Sequence, residues 1–119
     1  MAIIHVKDLE IEAILGINER ERTNKQKVKI SYELTVDISR PAETDAIDDC
    51  VNYRTINKQV IEFVRNSSYF TLEKLSSEIL KILVETKGVE KAVVTVSKPG
   101  ALRFTKDVSV TLSSDEWNE

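Results

Sequence analysis

The chain has 119 residues, of which 41% are hydrophobic and 31% are charged, as expected for one soluble globular domain. Lys and Arg number 17 against 20 Asp and Glu, and the formal net charge of -3 argues against bulk binding to nucleic acid or to an anionic membrane. The chain has a single cysteine, Cys50, which excludes an intramolecular disulfide. Because it also has a single histidine, His5, the usual zinc clusters of cysteine and histidine are excluded as well.

The start of the chain has a strand-like pattern directly after Met1, without the basic and apolar regions of a signal peptide. No apolar run approaches the roughly 20 residues that a membrane-spanning helix needs. We therefore expect a cytoplasmic protein that makes no membrane contact.

Two strands are predicted first. Residues 3–15 have an extended pattern, and Gly16 separates them from a charged connection over residues 17–26. The second strand has apolar residues at alternate positions, namely Val28, Ile30, Tyr32, Leu34, Val36 and Ile38. The residues between them are polar: Lys29, Ser31, Glu33, Thr35 and Asp37. This alternation predicts an antiparallel strand with one buried face and one face toward water or a hydrated channel.

Two helices are predicted next, after an acidic, turn-rich stretch over residues 39–49. Asn52 is the expected N-cap of the first, which has apolar residues at helical spacing over residues 56–64. Thr71 is the expected N-cap of the second, whose apolar stripe runs over residues 72–83. Lys87 and Gly88 predict its end, with a cation on the last turn and a glycine at C′.

Two further strands, over residues 89–96 and around residues 108–112, complete the order β-β-α-α-β-β. We therefore predict an α+β fold, with an antiparallel four-stranded sheet and two helices on one face. Residues 1–119 are expected to form a single domain with a polar tail from about Ser113. The outer strands of such a sheet carry unpaired backbone groups, so subunits are expected to join edge to edge.

Three short clusters at predicted element boundaries carry the candidate chemistry. They are Val51-Asn52-Tyr53, Leu72-Glu73-Lys74-Leu75 and Ser97-Lys98-Pro99-Gly100. A carboxylate such as Glu73 in a first helical turn is favoured by the helix dipole, and it is also suited to accept two N–H donors from a planar heterocycle. Lys98 is either a solvent-facing lysine or a proton acceptor and donor. Tyr53 is either a packed aromatic with a hydrated hydroxyl or a proton relay, whereas Glu21, in a charge-rich loop, is by default a solvated carboxylate.

Taken in order, these segments resemble the dihydroneopterin aldolase family over residues 2–112. The resemblance includes Gly16-Ile17, Glu21, the three clusters above and Asp107-Val108-Ser109-Val110. It implies the tunnelling fold (T-fold), in which four subunits join their sheets into a ring around a hydrated channel and two rings stack into an octamer. It also implies a small-molecule pterin substrate, active sites between neighbouring subunits, and no metal, cofactor or Schiff base.

The resemblance further implies how the substrate is bound. Glu73 would anchor the guanidine-like edge of the pterin, and the backbone near Leu72, Val51 and Asn52 would complete the binding site.

The resemblance also implies which residues handle protons. Lys98 would transfer protons at the reacting centre, Tyr53 would assist, and Glu21 would orient Lys98 or the substrate hydroxyls. Removal of the C2′ hydroxyl proton of dihydroneopterin breaks the C1′–C2′ bond, and the N5=C6 imine takes up the electrons. Protonation then gives 6-hydroxymethyl-7,8-dihydropterin and glycolaldehyde, whereas addition to the other face of the aldehyde inverts C2′.

The subtype is indicated by short segments around the clusters. Asn52-Tyr53-Arg54-Thr55, residues 72–75 and Ala101-Leu102-Arg103-Phe104 look more like the dihydroneopterin triphosphate 2′-epimerase branch, whereas residues 97–101 also fit bacterial aldolases. A triphosphate requires cations, for which the candidates are Arg54, Lys58, Arg103 and Lys106. We favour the epimerase; the alternative is the aldolase of folate biosynthesis. The resemblance implies either folate synthesis or a tetrahydromonapterin branch as the pathway.

The interpretation outside enzymes is a non-catalytic pterin-binding or scaffold module, because no single motif is specific by itself. A nucleic-acid-binding sheet is disfavoured, because the polar face of the second strand has no aromatic residues on which bases could stack.

Overall fold

The computed structural model describes residues 1–116. Its strands and helices are, in chain order, β1 (Ala2–Ala13), α1 (Glu19–Thr23), β2 (Gln26–Val36), α2 (Ser39–Thr44), a 3₁₀ turn (Ile47–Asp49), α3 (Tyr53–Arg65), α4 (Leu72–Glu85), β3 (Val89–Pro99) and β4 (Asp107–Ser113). The strands form one four-stranded antiparallel sheet in the order β1-β2-β3-β4. The predicted fold class is therefore confirmed. Within the described residues, no helix has both the length and the apolar character needed to cross a membrane.

The core lies between the sheet and the two long helices, α3 and α4. The inward residues of β2 are at most 2% exposed, and they are Val28, Ile30, Tyr32, Leu34 and Val36. They meet the buried stripe of α3, which is Ile56, Val60 and Val64, and the apolar side of α4. The opposite face of β2 carries the polar residues at the alternate positions, as predicted. Ile38 departs from the prediction: it is 43% exposed, because the strand ends at Val36 and the chain turns into α2.

Both predicted N-caps are confirmed. Asn52 Oδ1 accepts hydrogen bonds from the backbone N–H of Arg54 and Thr55, at 3.1 and 3.2 Å, and the hydroxyl of Thr71 caps α4 in the same way. The end of α4 differs from the prediction by one residue. Thr86 is the C-cap, so Gly88, with φ +93°, lies one position beyond C′.

Two short helices occupy segments that the sequence analysis treats as connections. One is α1, and the other is α2. Neither has a buried residue, so neither has the apolar stripe from which longer helices are predicted.

At the other end of the chain, the predicted polar tail falls partly within a turn over residues 114–116, and residues 117–119 lie outside the described residues.

Candidate active site

A cleft of about 430 Å³ opens where the end of β1, α1, the start of α4 and the β3–β4 connection meet. Its large apolar side chains are Leu15, Ile17, Phe70, Leu72, Leu102 and Val108. Its polar side chains are Asn18, Glu21, Thr71, Glu73 and Lys98. An apolar lining with a few convergent polar groups, in a volume of this order, is typical of a small-molecule site.

Glu21 and Lys98 form a hydrogen-bonded ion pair in this cleft, between Oε2 of the carboxylate and Nζ of the amine. The two side chains are mostly shielded from solvent, with 22% and 12% of their surfaces exposed. Lys98 lies near the end of β3, opposite Val108 of β4, so the sheet fixes its backbone. Charge-assisted hydrogen bonds are about twice as strong as neutral ones, so this pair holds an acid and a base at a defined place.

The Glu21 carboxylate is also held by its own chain. Its Oε1 accepts from the backbone N–H of Ile17 at 3.1 Å and of Asn18 at 3.4 Å, while Asn18 Oδ1 accepts from the N–H of Glu21 at 2.9 Å. This reciprocal arrangement is a capping box at the start of α1. The hydrogen bond from Lys98, together with these backbone donors, lowers the pKa of the Glu21 carboxyl below its ordinary value of 4.5. Glu21 is therefore ionised at neutral pH.

Glu73 enters the same cleft from the first turn of α4. The turn is fixed by Thr71, whose Oγ1 accepts from the N–H of Lys74 at 3.1 Å, and by Leu72, which is only 9% exposed. Glu73 itself is exposed. The carboxylate of Glu73 is therefore carried on a fixed backbone and is accessible to a molecule in the cleft.

The structure thus brings four of the predicted site residues together within one chain: Glu21, Leu72, Glu73 and Lys98. The predicted site residues at and around the start of α3 do not line this cleft. They are Val51, Asn52, Tyr53, Arg54 and Lys58. Tyr53 is 57% exposed. The amide oxygen of Asn52 is occupied by capping α3, so only the rest of that residue is available to a ligand.

Arg103 and Lys106 lie on the exposed β3–β4 connection. Ala101 and Leu102 of the same connection line the cleft. The guanidinium of Arg103 lies over the ring of Phe104, with 5.7 Å between Cζ and the ring centroid. The two cations are therefore carried beside the cleft, on a segment that faces solvent.

Arg22 is a feature that the sequence analysis missed. It is half-buried, and its guanidinium reaches backbone carbonyls of the loop before α4. In the sequence it is one of several alternating charges over residues 19–22 and looks no different from Arg20. The pattern Asn18-x-x-Glu21 is a signal that could have located the adjacent capping box.

Comparisons with known proteins show to which family the chain belongs. The family model for dihydroneopterin aldolase (FolB) matches residues 4–113. The dihydroneopterin triphosphate 2′-epimerase of Pseudomonas aeruginosa is 41% identical over 113 residues, covering 95% of this chain and 92% of that protein. The dihydroneopterin aldolase of Escherichia coli is 25% identical over 112 residues, covering 94% of this chain and 92% of that protein.

Solved structures give the same result for the fold. The structure of Escherichia coli dihydroneopterin aldolase in complex with neopterin superposes with a TM-score of 0.91 at 25% identity, covering 95% of this chain and 98% of that one. The fold is therefore the T-fold of this family, and the family named from the resemblance is confirmed. On its sequence, its sheet topology and its match over residues 4–113, the chain belongs to the dihydroneopterin aldolase family.

Proposed function

We propose that this chain is a pteridine enzyme that performs metal-free retro-aldol and aldol chemistry at C2′ of the dihydroneopterin side chain, and that its reaction is 2′-epimerisation of dihydroneopterin triphosphate. The observation that carries the proposal is the Glu21–Lys98 ion pair in the same cleft as Glu73. The choice of the epimerase is supported by the relative from Pseudomonas aeruginosa, which is 41% identical and bears that name.

Binding of the pterin is assigned to Glu73 and the apolar walls. The carboxylate of Glu73 accepts two N–H bonds from the guanidine-like edge of the ring, and such charge-assisted bidentate bonds combine strength with orientation. Phe70 and Leu72 offer apolar surface to the flat bicycle. The backbone near Leu72, and near Val51 and Asn52 of a second subunit, completes the site.

Proton transfer is assigned to Lys98 and Glu21. The amine of Lys98 first passes its own proton to the Glu21 carboxylate and then takes the C2′ hydroxyl proton, the C1′–C2′ bond breaks, and the electrons of that bond move into the N5=C6 imine of the substrate. The substrate thus supplies its own electron sink, which is why neither a metal nor a lysine imine is required. Addition of the same carbon to the opposite face of the bound aldehyde inverts C2′. Glu21 orients Lys98 through the ion pair, and Tyr53 assists the transfer.

The predicted site residues that do not line the cleft enter this proposal through a second copy of the chain. Large apolar side chains at and near the open cleft are exposed in the single chain, at 76% for Ile17, 60% for Phe70 and 56% for Leu102. We infer that a second copy covers them and supplies Tyr53, in a ring of four subunits that joins β1 and β4 edges and stacks into an octamer. Each site then lies between neighbouring subunits.

The triphosphate is assigned to four cations. Arg103 and Lys106 come from the connection beside the cleft, and Arg54 and Lys58 come from the start of α3 in the second copy. All four are exposed in the single chain and therefore accessible to an anion.

We also infer that residues 1–119 act as one domain in the cytoplasm, in a tetrahydromonapterin branch.

The second candidate function is that of a dihydroneopterin aldolase in folate biosynthesis. It is supported by the TM-score of 0.91 with the aldolase that binds neopterin. The two reactions share every step up to bond cleavage. They differ in whether the aldehyde is released after protonation of C1′ or is retained and added again.

One experiment separates these functions. The protein is incubated separately with dihydroneopterin and with its triphosphate, and both C2′ configuration and aldehyde release are followed by chromatography. Inversion of the triphosphate without release identifies the epimerase, and release of glycolaldehyde from dihydroneopterin identifies the aldolase. Pterin binding without turnover of either compound would overturn the enzymatic proposal and leave a binding module.

A further inference from the structure

Arg22 bridges two segments that are distant in the sequence. Its Nη1 donates to the carbonyl oxygens of Gly16 at 3.3 Å and Tyr69 at 3.1 Å, and its Nη2 donates to the carbonyl of Ser68 at 2.7 Å. Its Cζ lies 4.1 Å from the ring centroid of Phe70. One side chain therefore contacts the turn that precedes α1 and the loop that precedes α4.

These two segments carry opposite parts of the candidate site. The first continues directly into Glu21, the partner of Lys98. The second passes through the N-cap Thr71 into Glu73. A backbone hydrogen bond from Gly16 N–H to the carbonyl of Tyr69, at 3.3 Å, joins the same segments.

The chemistry of the contact is specific to arginine. A guanidinium is a planar fork with several donors, so it satisfies carbonyls in different directions and stacks on an aromatic face at the same time. A lysine ammonium has one nitrogen on a flexible stem and does not reproduce this geometry. Arg20, on the same helix, is exposed and provides a matched control.

We propose that Arg22 is a positioning residue that fixes the separation between Glu73 and the Glu21–Lys98 pair. The inference rests on the proposed function, because this separation affects turnover only if both groups act on one bound molecule. Glu73 remains in its capped turn without Arg22, so binding of the pterin ring is largely retained. A misplacement of about 1 Å between binding and reacting groups is able to cost on the order of 100-fold in rate.

The test compares Arg22→Ala, Arg22→Lys and Arg20→Ala with the wild type. We measure kcat and KM for the preferred substrate, the Kd of neopterin by titration, and hydrogen exchange of residues 16–18 and 68–71. Arg22→Ala is expected to lower kcat by roughly 30- to 100-fold, to change the neopterin Kd by less than about threefold, and to speed exchange of the hydrogen-bonded amides of residues 16–18. Arg22→Lys is expected to remain impaired, and Arg20→Ala to behave as the wild type.

A second measurement separates positioning from folding. Millimolar guanidinium is expected to restore part of the kcat of Arg22→Ala and none of that of Arg22→Lys, whose side chain occupies the site. Unchanged kcat in Arg22→Ala, or equal losses of kcat and neopterin affinity, would overturn the inference while leaving the proposed function in place. A wild type that turns over neither substrate would instead remove the proposed function. Exchange data would then decide alone, and in Arg22→Ala unchanged exchange of the Gly16 N–H, which donates to the carbonyl of Tyr69, would overturn the coupling itself.

Discussion

The carboxylate of Glu21 occupies the space in which any residue other than glycine at position 16 would place its Cβ. Gly16 also has φ +138°, a conformation that side-chain-bearing residues rarely adopt. Glycine at this position therefore allows both the turn and the location of the acid that pairs with Lys98.

Gly16→Ala is the first prediction. The added methyl group displaces the Glu21 carboxylate, and we expect turnover to fall by on the order of 10- to 100-fold because a catalytic group is misplaced. Steady-state kinetics measures this loss. A double mutant separates the steric effect from backbone strain: in a Glu21→Ala background, Gly16→Ala should have little further effect on kcat. Full additivity of the two losses would show that Gly16 does not act through Glu21.

Lys98→Ala is expected to leave the fold intact and to lower kcat by roughly 10²- to 10⁴-fold, the contribution typical of a positioned acid–base group. Circular dichroism and a melting curve check the fold, and chromatography of the products checks turnover. Lys27→Ala, an exposed lysine on β2, is the control. Wild-type turnover in Lys98→Ala would remove Lys98 from the mechanism.

Glu73→Ala should weaken pterin binding. Hydrogen bonds to a charged group contribute about 1.5–3 kcal/mol, so we expect the Kd of neopterin to rise by roughly 10- to 150-fold. Glu85→Ala, at the other end of α4, serves as the control because Glu85 is also exposed. Titration calorimetry measures both variants, and an unchanged Kd for Glu73→Ala contradicts its role as the anchor.

Acid pH should weaken the Glu21–Lys98 pair. The pKa of Glu21 is lower in the folded state than its ordinary value of 4.5, so its contribution to stability is complete above about pH 4.5 and is lost as the pH falls through the folded pKa. Melting temperatures of the wild type and Glu21→Gln from pH 3 to 7 test this. The difference between the two melting temperatures should be constant near neutral pH and should become smaller in acid. A difference that is independent of pH would exclude ionised Glu21 as its source.

Alkaline pH should destabilise the protein through Tyr32. Its hydroxyl donates to Asn57 Oδ1 at 2.9 Å, and burial raises its pKa to about 12. Because the unfolded state loses this proton near pH 10, the free energy of unfolding should fall by up to about 1.4 kcal/mol per pH unit between about pH 10 and 12. Urea titrations measure this slope. Tyr32→Phe has no such proton to lose, so its free energy of unfolding should fall less steeply over this pH range. Near pH 7 the variant should be less stable than the wild type by about 1 kcal/mol, because the hydrogen bond is lost.

The regular parts of the fold follow from local patterns. The alternation in β2, the apolar stripe of α4 and the caps Asn52 and Thr71 depend on near neighbours, so the sequence alone is sufficient to predict them. The short helix α1 escaped prediction because it is stabilised by a capping box rather than by a buried stripe.

The candidate site is only partly predictable in this way. Glu21, Glu73 and Lys98 are candidates in the sequence and take their roles from a resemblance, and only the folded chain shows that one cleft contains all of them. Arg22 differs from Arg20 through its contacts in the folded chain, which include carbonyls of Ser68 and Tyr69, more than 40 positions later in the chain. No local pattern encodes such a contact.

Glu21 and Arg22 are consecutive residues in a helix of only five residues, Glu19–Thr23, that begins at a defined cap. Successive residues of an α-helix are rotated by about 100° around its axis. Deleting or inserting one residue between Asn18 and Glu21 would therefore turn both side chains away from their present partners in a single step. Homologous sequences that keep this activity should consequently show no gaps in this segment.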